Sequence, residues 1–289
     1  MRSISEPLVR VEAGGAPCWG RRAGEEIVLD DGTRLRESDA RYLAPVEPSK
    51  ILAVHLAYRS RVEEYAARIP SAPSFFVKPQ TTLNGHRQPI NKARGASFLN
   101  YEGELAVVIG RRMKGVPEAD ALDHVAGYAC ANDVGMHDFR HADRGSMLRV
   151  KGQDGFLPLG PVVVPARDFD PTAFTLRTFL NGAVVQETSA DDLLFSVAYQ
   201  LADLSRLITL DPGDVVLTGT PANSRPMTAG DVVEVEIPGL GCLSNPVVDW
   251  DVNLTGPGEQ MAVSANTLHV ALAISEDEAE RMVEDGLGR

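Results

Sequence analysis

Residues 101–110 read YEGELAVVIG, and their pattern predicts a β-strand that carries two acidic side chains. Leu, Val, Ile and Tyr are common in strands, and successive strand side chains point to opposite faces, so Glu102 and Glu104 would share one face. Two like charges side by side destabilise a strand unless water solvates them, a shared proton neutralises one, or a cation holds both. The stretch therefore indicates either a solvated outer face or a cation site.

Length and cysteine content exclude several classes of protein. The 289 residues suffice for one large domain or a domain with a small appendage. Cys18, Cys130 and Cys242 are widely spaced and lack a C-x-x-C pattern, which argues against a disulfide framework or a zinc knuckle. The N-terminus lacks a signal-peptide core, and no apolar run approaches the roughly 18 residues of a membrane span. We therefore expect a cytoplasmic protein without a membrane partner.

The charge pattern argues against nucleic acid as a partner. The formal net charge is −12 at pH 7, and the basic residues are scattered along the chain. Binding to a phosphate backbone draws on concentrated Lys and Arg. A small anionic substrate needs only two or three local cationic groups or a metal ion, so the overall charge does not exclude it.

Short apolar segments bounded by Gly and Pro predict a mainly β fold with a few helices, an α+β protein. The Asn181-Gly182 pair between two apolar runs predicts a hairpin turn. The clearest helix lies in SADDLLFSVAYQLADLSRLI (189–208), with Ser189 as its predicted N-cap. Shorter helices are predicted within RSRVEEYAARI (59–69) and PEADALDHV (117–125).

The chain divides into three predicted parts. Residues 1–46 form a small N-terminal β-rich module that ends in the connector LAPVEPSK, and residues 47–250 form the main domain. Residues 251–289 form a C-terminal strand and helix extension. In that extension LHVALAI (268–274) is predicted as a strand, and Ser275 opens a capping box before an acidic helix.

A second strand-like segment, HVAGYACANDVG (124–135), ends near Asp133. Together with Glu102 and Glu104, this residue would supply three hard oxygen ligands, which suit Mg²⁺ or Mn²⁺. Downstream, Lys151 lies near a glycine turn, and the TGTP turn contains Thr220. Spacing alone does not decide whether these residues form a metal-dependent site or are ordinary strand-end and turn residues.

Five ordered motifs resemble the fumarylacetoacetate hydrolase family over about residues 50–247: FFVKPQTTL, YEGELAVVIG, GYACANDVG, VKGQDGFLPLGP and GDVVLTGTP. The resemblance implies a mixed β-roll and β-sandwich domain, usually dimeric. It also implies one divalent metal, Mg²⁺ or Mn²⁺, on Glu102, Glu104 and Asp133. Members act on 2-oxo acids or 1,3-dicarbonyl compounds: they hydrolyse C–C bonds, decarboxylate, or shift double bonds and tautomers.

The resemblance also implies roles around the metal. Lys151 would be catalytic, because its ammonium would pair with the anionic oxygens of the substrate. Thr220 would donate a hydrogen bond to the substrate carboxylate. Tyr58 and Gln153 are further candidate substrate-binding residues beside these motifs. All of these reactions need stabilisation of a negative oxygen in an enolate or a charged tetrahedral species.

Two stretches depart from the family pattern. In VHLAYRSRVEEYA (54–66), Arg61 stands where hydrolytic members have the histidine of a water-activating dyad, whereas Glu64 matches the dyad glutamate. A guanidinium cannot deprotonate water near neutral pH, so we expect Arg61 to bind a substrate carboxylate instead.

The second departure follows Asp133, where this chain reads NDVGMHDFR (132–140). His137 replaces an arginine of the family, and Arg140, a candidate substrate-binding residue, replaces a glutamine. An unperturbed imidazole titrates near neutral pH, so His137 is a candidate general base. The alternative is that His137 is a polar neighbour without a role in proton transfer.

The expected function is therefore that of a homodimeric, metal-dependent enzyme acting on a small anionic 2-oxo acid, for example in aromatic catabolism. C–C bond hydrolysis of an acylpyruvate or fumarylpyruvate is the leading prediction, because the resemblance implies that it is the commonest reaction in the family. The replaced dyad histidine favours an isomerase, tautomerase or decarboxylase of a 2-oxo or 2-hydroxymuconate dicarboxylate. A non-catalytic metal-binding relative is the third alternative.

Overall fold

The computed structural model describes residues 4–252 and 254–287, and β-strands dominate it, as the sequence predicts. In chain order, the strands are β1 (Leu8–Ala13), β2 (Ala16–Ala23), β3 (Glu26–Leu29), β4 (Arg34–Arg36), β5 (Arg41–Leu43), β6 (Ile51–His55), β7 (Ser74–Lys78), β8 (Leu83–Asn84), β9 (Ile90–Ala93), β10 (Leu99–Asn100), β11 (Gly103–Ile109), β12 (Val125–Asn132), β13 (Gly135–Met136), β14 (Leu157–Pro165), β15 (Thr175–Leu180), β16 (Ala183–Ser189), β17 (Val215–Leu217), β18 (Pro226–Met227), β19 (Val232–Ile237) and β20 (Gly241–Trp250). The α-helices are α1 (Arg59–Glu64), α2 (Glu118–Ala121), α3 (Arg140–Asp143), α4 (Leu148–Lys151), α5 (Val197–Leu207), α6 (Ala265–Leu272) and α7 (Glu276–Met282).

One large sheet has the order β4-β3-β2-β1-β14-β12-β11-β17-β6-β7, with β5 paired to β1 and β8 paired to β14. Its central strands β11 and β14 are buried at every position, and apart from Glu104 their side chains are apolar. Strands β11 and β12 are antiparallel, with Gly103 opposite Asn132. This register brings the residues that flank the two strands together, and Asp133 donates a backbone hydrogen bond to the Glu102 carbonyl at 2.8 Å.

A second sheet, β16-β15-β19-β20-β9, packs against the first. Its inward side chains, such as Leu176 and Val235, join Leu105 and Val107 of β11 in one buried cluster. The hairpin β15–β16 turns at Asn181-Gly182, where both residues have positive φ (53° and 80°), so the predicted hairpin is confirmed. A small third sheet has the order β13-β10-β18.

The N-cap predicted for the longest helix is wrong. Ser189 is the last residue of β16, where it pairs with Thr175 of β15. Sheet pairing therefore continues through this residue, and α5 begins only at Val197. Ser196 is the N-cap, and its Oγ accepts a hydrogen bond from the Tyr199 N–H at 3.0 Å.

The strand predicted over LHVALAI is also wrong, because these residues belong mainly to α6. The Ser264 Oγ caps this helix by accepting from the Thr267 N–H at 3.1 Å. Leu268 and Ala271 are then buried on one helix face in a cluster with Phe98. A short apolar run does not by itself distinguish a buried helix from a strand, and here the cap and the packing favour the helix.

The remaining helix predictions fit better. The Oγ of Ser275 accepts a hydrogen bond from the Glu278 N–H at 3.2 Å at the start of α7, so the predicted N-cap is confirmed. Helices α1 and α2 lie within the stretches predicted for them, although both are shorter. Over the described ranges, no helix combines the length and apolar character that crossing a membrane requires.

The N-terminal strands are hydrogen-bonded into the large sheet through β1, where Leu8 pairs with Val163 of β14. Val9 and Val11 of β1 belong to the same buried cluster as Leu105 of β11. The first part of the chain therefore shares its core with the strands that flank the carboxylates.

Gly103, between the two glutamates, allows the sheets to approach closely. A Cβ at this position would lie 2.1 Å from the Thr178 Oγ1 of β15. We expect Gly103→Ala to separate β11 from β15 and to lower the free energy of unfolding by about 1–3 kcal/mol, as overpacking does. Urea denaturation measures this change. Gly256→Ala is the control, because an added Cβ there meets no atom within 4 Å. Equal stability of the two variants would contradict this packing.

Candidate active site

Three buried carboxylates meet where β11 begins and β12 ends. Glu102 precedes β11, Glu104 lies within it, and Asp133 follows β12. One carboxylate oxygen from each lies within 4.8 Å of the others. Their exposed fractions are 8%, 2% and 1%, which excludes the solvated outer face considered from the sequence.

Two buried lysines neutralise part of this charge. The Lys151 Nζ, at the end of α4, donates hydrogen bonds to the Glu102 Oε2 and to the Asp133 backbone carbonyl, both at 2.6 Å. The Lys78 Nζ, at the end of β7, donates to the Asp133 Oδ1 at 2.6 Å. Sequence reasoning missed Lys78, although the residue lies within the family-like motif FFVKPQTTL. The signal that could have identified Lys78 is a lysine placed within an aromatic and β-branched run typical of a buried strand.

The charges of the three carboxylates are not equally compensated. Burial raises the pKa of Glu104 well above its ordinary value, and the neighbouring Asp133 and Glu102 carboxylates raise it further. Burial also raises the pKa of Asp133, but the ammonium groups of Lys151 and Lys78 outweigh this effect and lower it overall. Within the described residues, Glu104 has no ion-pair partner, and its Oε2 accepts the Gly219 N–H at 2.7 Å.

This donor set fits a divalent cation. Carboxylate oxygens are the hard ligands that Mg²⁺ and Mn²⁺ prefer, and three of them leave coordination positions for water and substrate. A cation beside Glu104 would also favour its ionised form, which burial opposes. The residues that would hold the metal are therefore Glu102, Glu104 and Asp133.

The carboxylates line a pocket with most of the other residues predicted for the site. Besides the three acids, the predicted residues that line it are Arg61, His137, Arg140, Lys151 and Thr220. They come from α1, the turn after β13, α3, α4 and the loop after β17, so the sequence separations are long.

Three predicted residues do not line this pocket. Glu64 lies behind Arg61, where its carboxylate accepts from the Arg61 Nη1 at 2.7 Å, the Arg225 Nη2 at 2.8 Å and the Asn223 N–H at 3.0 Å. Tyr58 is fully buried. The Gln153 Nε2 donates to the Arg149 carbonyl at 2.7 Å.

Arg61 is fixed between the pocket and the core. Its Nη2 lies 3.4 Å from the Glu102 Oε1, and its guanidinium lies 4.4 Å from the centroid of the Tyr65 ring. A planar guanidinium stacked on an aromatic ring is held in one orientation and can bind a carboxylate in a defined geometry. This arrangement is compatible with the carboxylate-binding role expected from the sequence.

Two neutral imidazoles line the pocket. Burial lowers the pKa of His137 well below its ordinary value, and Lys151 and Arg140 lower it further. Both ring nitrogens of His137 lack a hydrogen-bond partner within the described residues. Burial, followed by Arg140 and Lys151, lowers the pKa of His55 to about 4. Sequence reasoning assigned His55 no role, since its only signal is its position at the end of β6.

Comparison with known proteins identifies the family of this chain. The family model described as fumarylacetoacetate (FAA) hydrolase C-terminal matches residues 50–248. The chain belongs to the fumarylacetoacetate hydrolase family. Its members include the relatives and solved structures that resemble this chain over most of its length, and the mixed β architecture is the fold of this family.

Three relatives show the range of the family. The 4-hydroxyphenylacetate degradation bifunctional isomerase/decarboxylase of Escherichia coli is 38% identical over 83% of this chain and 55% of its own length. A 5-carboxymethyl-2-hydroxymuconate delta-isomerase structure from Mycobacterium smegmatis is 36% identical, with a TM-score of 0.76 over 85% of this chain and 100% of that chain. The structure of a maleylpyruvate hydrolase from Sphingobium sp. SYK-6, in complex with manganese(II) and pyruvate, is 25% identical. Its TM-score is 0.71, and the match covers 84% of this chain and 99% of that chain.

The carboxylate cluster predicts that Glu102→Gln weakens metal binding. An amide lacks the negative charge of the carboxylate and also breaks the ion pair with Lys151, so we expect the affinity for Mg²⁺ or Mn²⁺ to fall at least about tenfold. Isothermal titration calorimetry measures this affinity. Glu63→Gln on the exposed side of α1 is the matched control and should leave it unchanged. Equal affinity in both variants would refute the assignment of Glu102.

Proposed function

We propose that the chain is a divalent-metal-dependent enzyme that isomerises, tautomerises or decarboxylates a 2-oxo or 2-hydroxymuconate dicarboxylate. The observation that carries this proposal is the environment of Glu64. In hydrolytic relatives the matching glutamate belongs to a water-activating dyad. Here its carboxylate is bonded to the Arg61 and Arg225 guanidinium groups and to a backbone N–H. Both of its oxygens therefore already accept hydrogen bonds from groups other than a dyad imidazole.

The pocket residues have roles suited to a negatively charged oxygen. A divalent cation held by the three carboxylates would act as a Lewis acid on the 2-oxo acid group. The Lys151 ammonium, buried beside them, would stabilise negative charge that develops on the substrate oxygens. The Thr220 Oγ1 accepts from the Gln186 Nε2 at 3.1 Å and donates to no acceptor among the described residues, so its proton would be donated to a substrate carboxylate.

The same pocket offers a proton acceptor and a second anion-binding region. His137 is neutral, buried and without a partner in the described structure, so its unprotonated ring nitrogen can accept a proton from the substrate carbon next to the 2-oxo group. Arg61 and Arg140 would bind the carboxylate at the other end of a dicarboxylate substrate. Both guanidinium groups line the pocket.

Hydrolysis of a C–C bond is the second candidate, and one observation favours it. The unpartnered His137 imidazole could activate water in place of the missing dyad histidine. We propose that the protein works as a cytoplasmic homodimer in either case, since dimer formation would cover exposed apolar residues such as Val77 and Leu148, which are 59% and 55% exposed.

The proposed reaction class predicts which reactions the parent protein catalyses and which it does not. With Mg²⁺ in D₂O, the parent protein should catalyse deuterium exchange at C3 of a 2-oxo dicarboxylate such as oxaloacetate, measured by NMR, without hydrolysing an acylpyruvate. Arg61→His restores the dyad pattern of hydrolytic relatives and should gain acylpyruvate hydrolysis, detected as pyruvate release. Arg59→His on the exposed side of the same helix is the control. Robust hydrolysis by the parent with no gain in Arg61→His would contradict the proposal.

The low pKa of His137 predicts an unusual pH profile. A general base must be unprotonated, and an imidazole with an ordinary pKa would lose half its activity near pH 6.5. Because burial and nearby cations lower the pKa of His137, we expect activity to persist below about pH 6.5 and to fall only in more acidic solution. His137→Ala should lower the rate about 10²–10⁴-fold without weakening metal binding. A rate that is unaffected by this substitution would remove His137 from the proton transfer.

A further inference from the structure

The C-terminal extension contributes a wall to the active-site pocket. Helix α6 lies outside residues 50–248, the part matched by the family model. Its Val270 nevertheless lines the same pocket as the three carboxylates. The side chain is buried, with 7% exposure. The pocket of this chain is therefore completed by a segment outside the part that the family model matches.

Helix α6 is held in place by hydrogen bonds to elements that surround the pocket. The Tyr65 hydroxyl, just after α1, donates to the Val270 carbonyl at 3.1 Å. The Asn100 Nδ2 of β10 donates to the Ala271 carbonyl at 2.9 Å. Just before α6, the Ala262 N–H donates to the Asp138 carbonyl at 2.9 Å, in the turn that contains His137.

Apolar packing reinforces these bonds. Leu268 and Ala271 of α6, Ala279 of α7 and Phe98 of the main domain form one buried cluster. The cluster fixes α6 between α7 and the main domain, so the position of Val270 is defined by packing on both sides. A side chain held in this way can discriminate between substrates by size, because it cannot move aside without cost.

The same helix contacts the residue that orients Arg61. The Tyr65 ring lies 4.4 Å below the Arg61 guanidinium and 5.5 Å from the His269 ring of α6, measured to ring centroids. Tyr65 therefore touches both a predicted substrate-binding residue and the extension. The wall at Val270 and the guanidinium of Arg61 belong to one continuous packed unit.

The geometry points to α6 as a specificity-determining element, with Val270 limiting the size of the substituent that a 2-oxo acid substrate carries at C3. This inference rests on the proposed function. The carboxylates and Lys151 would fix the 2-oxo acid end, and an apolar valine offers no polar contact to it. The group facing Val270 is then the remaining part of the substrate, and a buried β-branched side chain excludes bulky groups there.

The test compares Val270→Ala with the parent across the 2-oxo dicarboxylates oxaloacetate, 2-oxoglutarate, 2-oxoadipate and 2-oxopimelate, whose C3 substituents increase in length. Their affinities for the Mn²⁺-loaded full-length protein are measured by calorimetry, and exchange at C3 is followed by NMR with Mg²⁺ in place of the paramagnetic Mn²⁺. We expect Val270→Ala to shift the preference toward the longer acids by about tenfold, the discrimination typical of a small change in an apolar pocket. Val270→Phe should shift it toward oxaloacetate, the shortest acid.

Val263→Ala is the matched control. Val263 packs within the same extension but does not line the pocket, so its truncation should leave the ratio of affinities unchanged. The ratio compares the affinities of a longer and a shorter acid for the same variant. A general loss of stability would lower both affinities and leave their ratio unchanged. An unchanged ratio in both Val270 variants would overturn the inference.

The two readouts separate the inference from the proposed function. If the affinities depend on acid length and change with the Val270 substitutions, but no exchange is catalysed, the role of Val270 is supported and the proposed reaction is contradicted. Exchange by the parent with a size preference that ignores Val270 would support the reaction and contradict the wall. Failure of the Mn²⁺-loaded parent to bind any of these acids would contradict both.

Discussion

The Lys151 ammonium joins the two strands that carry the carboxylates, and the rest of the site depends on this contact. It bonds to the Glu102 carboxylate and the Asp133 carbonyl at 2.6 Å each, deep in the interior. Burying unpaired carboxylates would cost several kcal/mol per ion, so this bond and the Lys78 pair allow the cluster to exist inside the protein. Lys151 is consequently a structural partner of the acids, in addition to the role on the substrate anion that we propose for it.

This compensation is incomplete at one carboxylate. Glu104 receives a backbone N–H but no ion pair among the described residues, and burial raises its pKa. A buried acid in this state favours either a proton or a cation. The surrounding pocket is lined by cationic side chains and by imidazoles. In the proposed function, these groups would divide three tasks: metal binding on the acids, anion binding on Arg61 and Arg140, and proton transfer near His137.

Local patterns predicted the features that neighbouring residues determine. The Glu102 and Glu104 spacing indicated one cluster because strand periodicity is local, and the Asn181-Gly182 turn needs only two residues. Long-range packing decided what the sequence left open. Lys78 reaches Asp133 only because β7 and β12 end near one another, a proximity that no local pattern shows. The apolar run in α6 became a helix because a serine cap and the Phe98 cluster were available, and neither could be weighed from composition.

The central claim is that one divalent cation binds between the three carboxylates. Crystals of the full-length chain grown with Mn²⁺, with diffraction recorded at the manganese absorption edge, test it most directly. The account predicts one anomalous peak per chain, about 2.0–2.3 Å from an oxygen of each of Glu102, Glu104 and Asp133. No anomalous peak at this position at saturating Mn²⁺, or a peak bound by other residues, would contradict it.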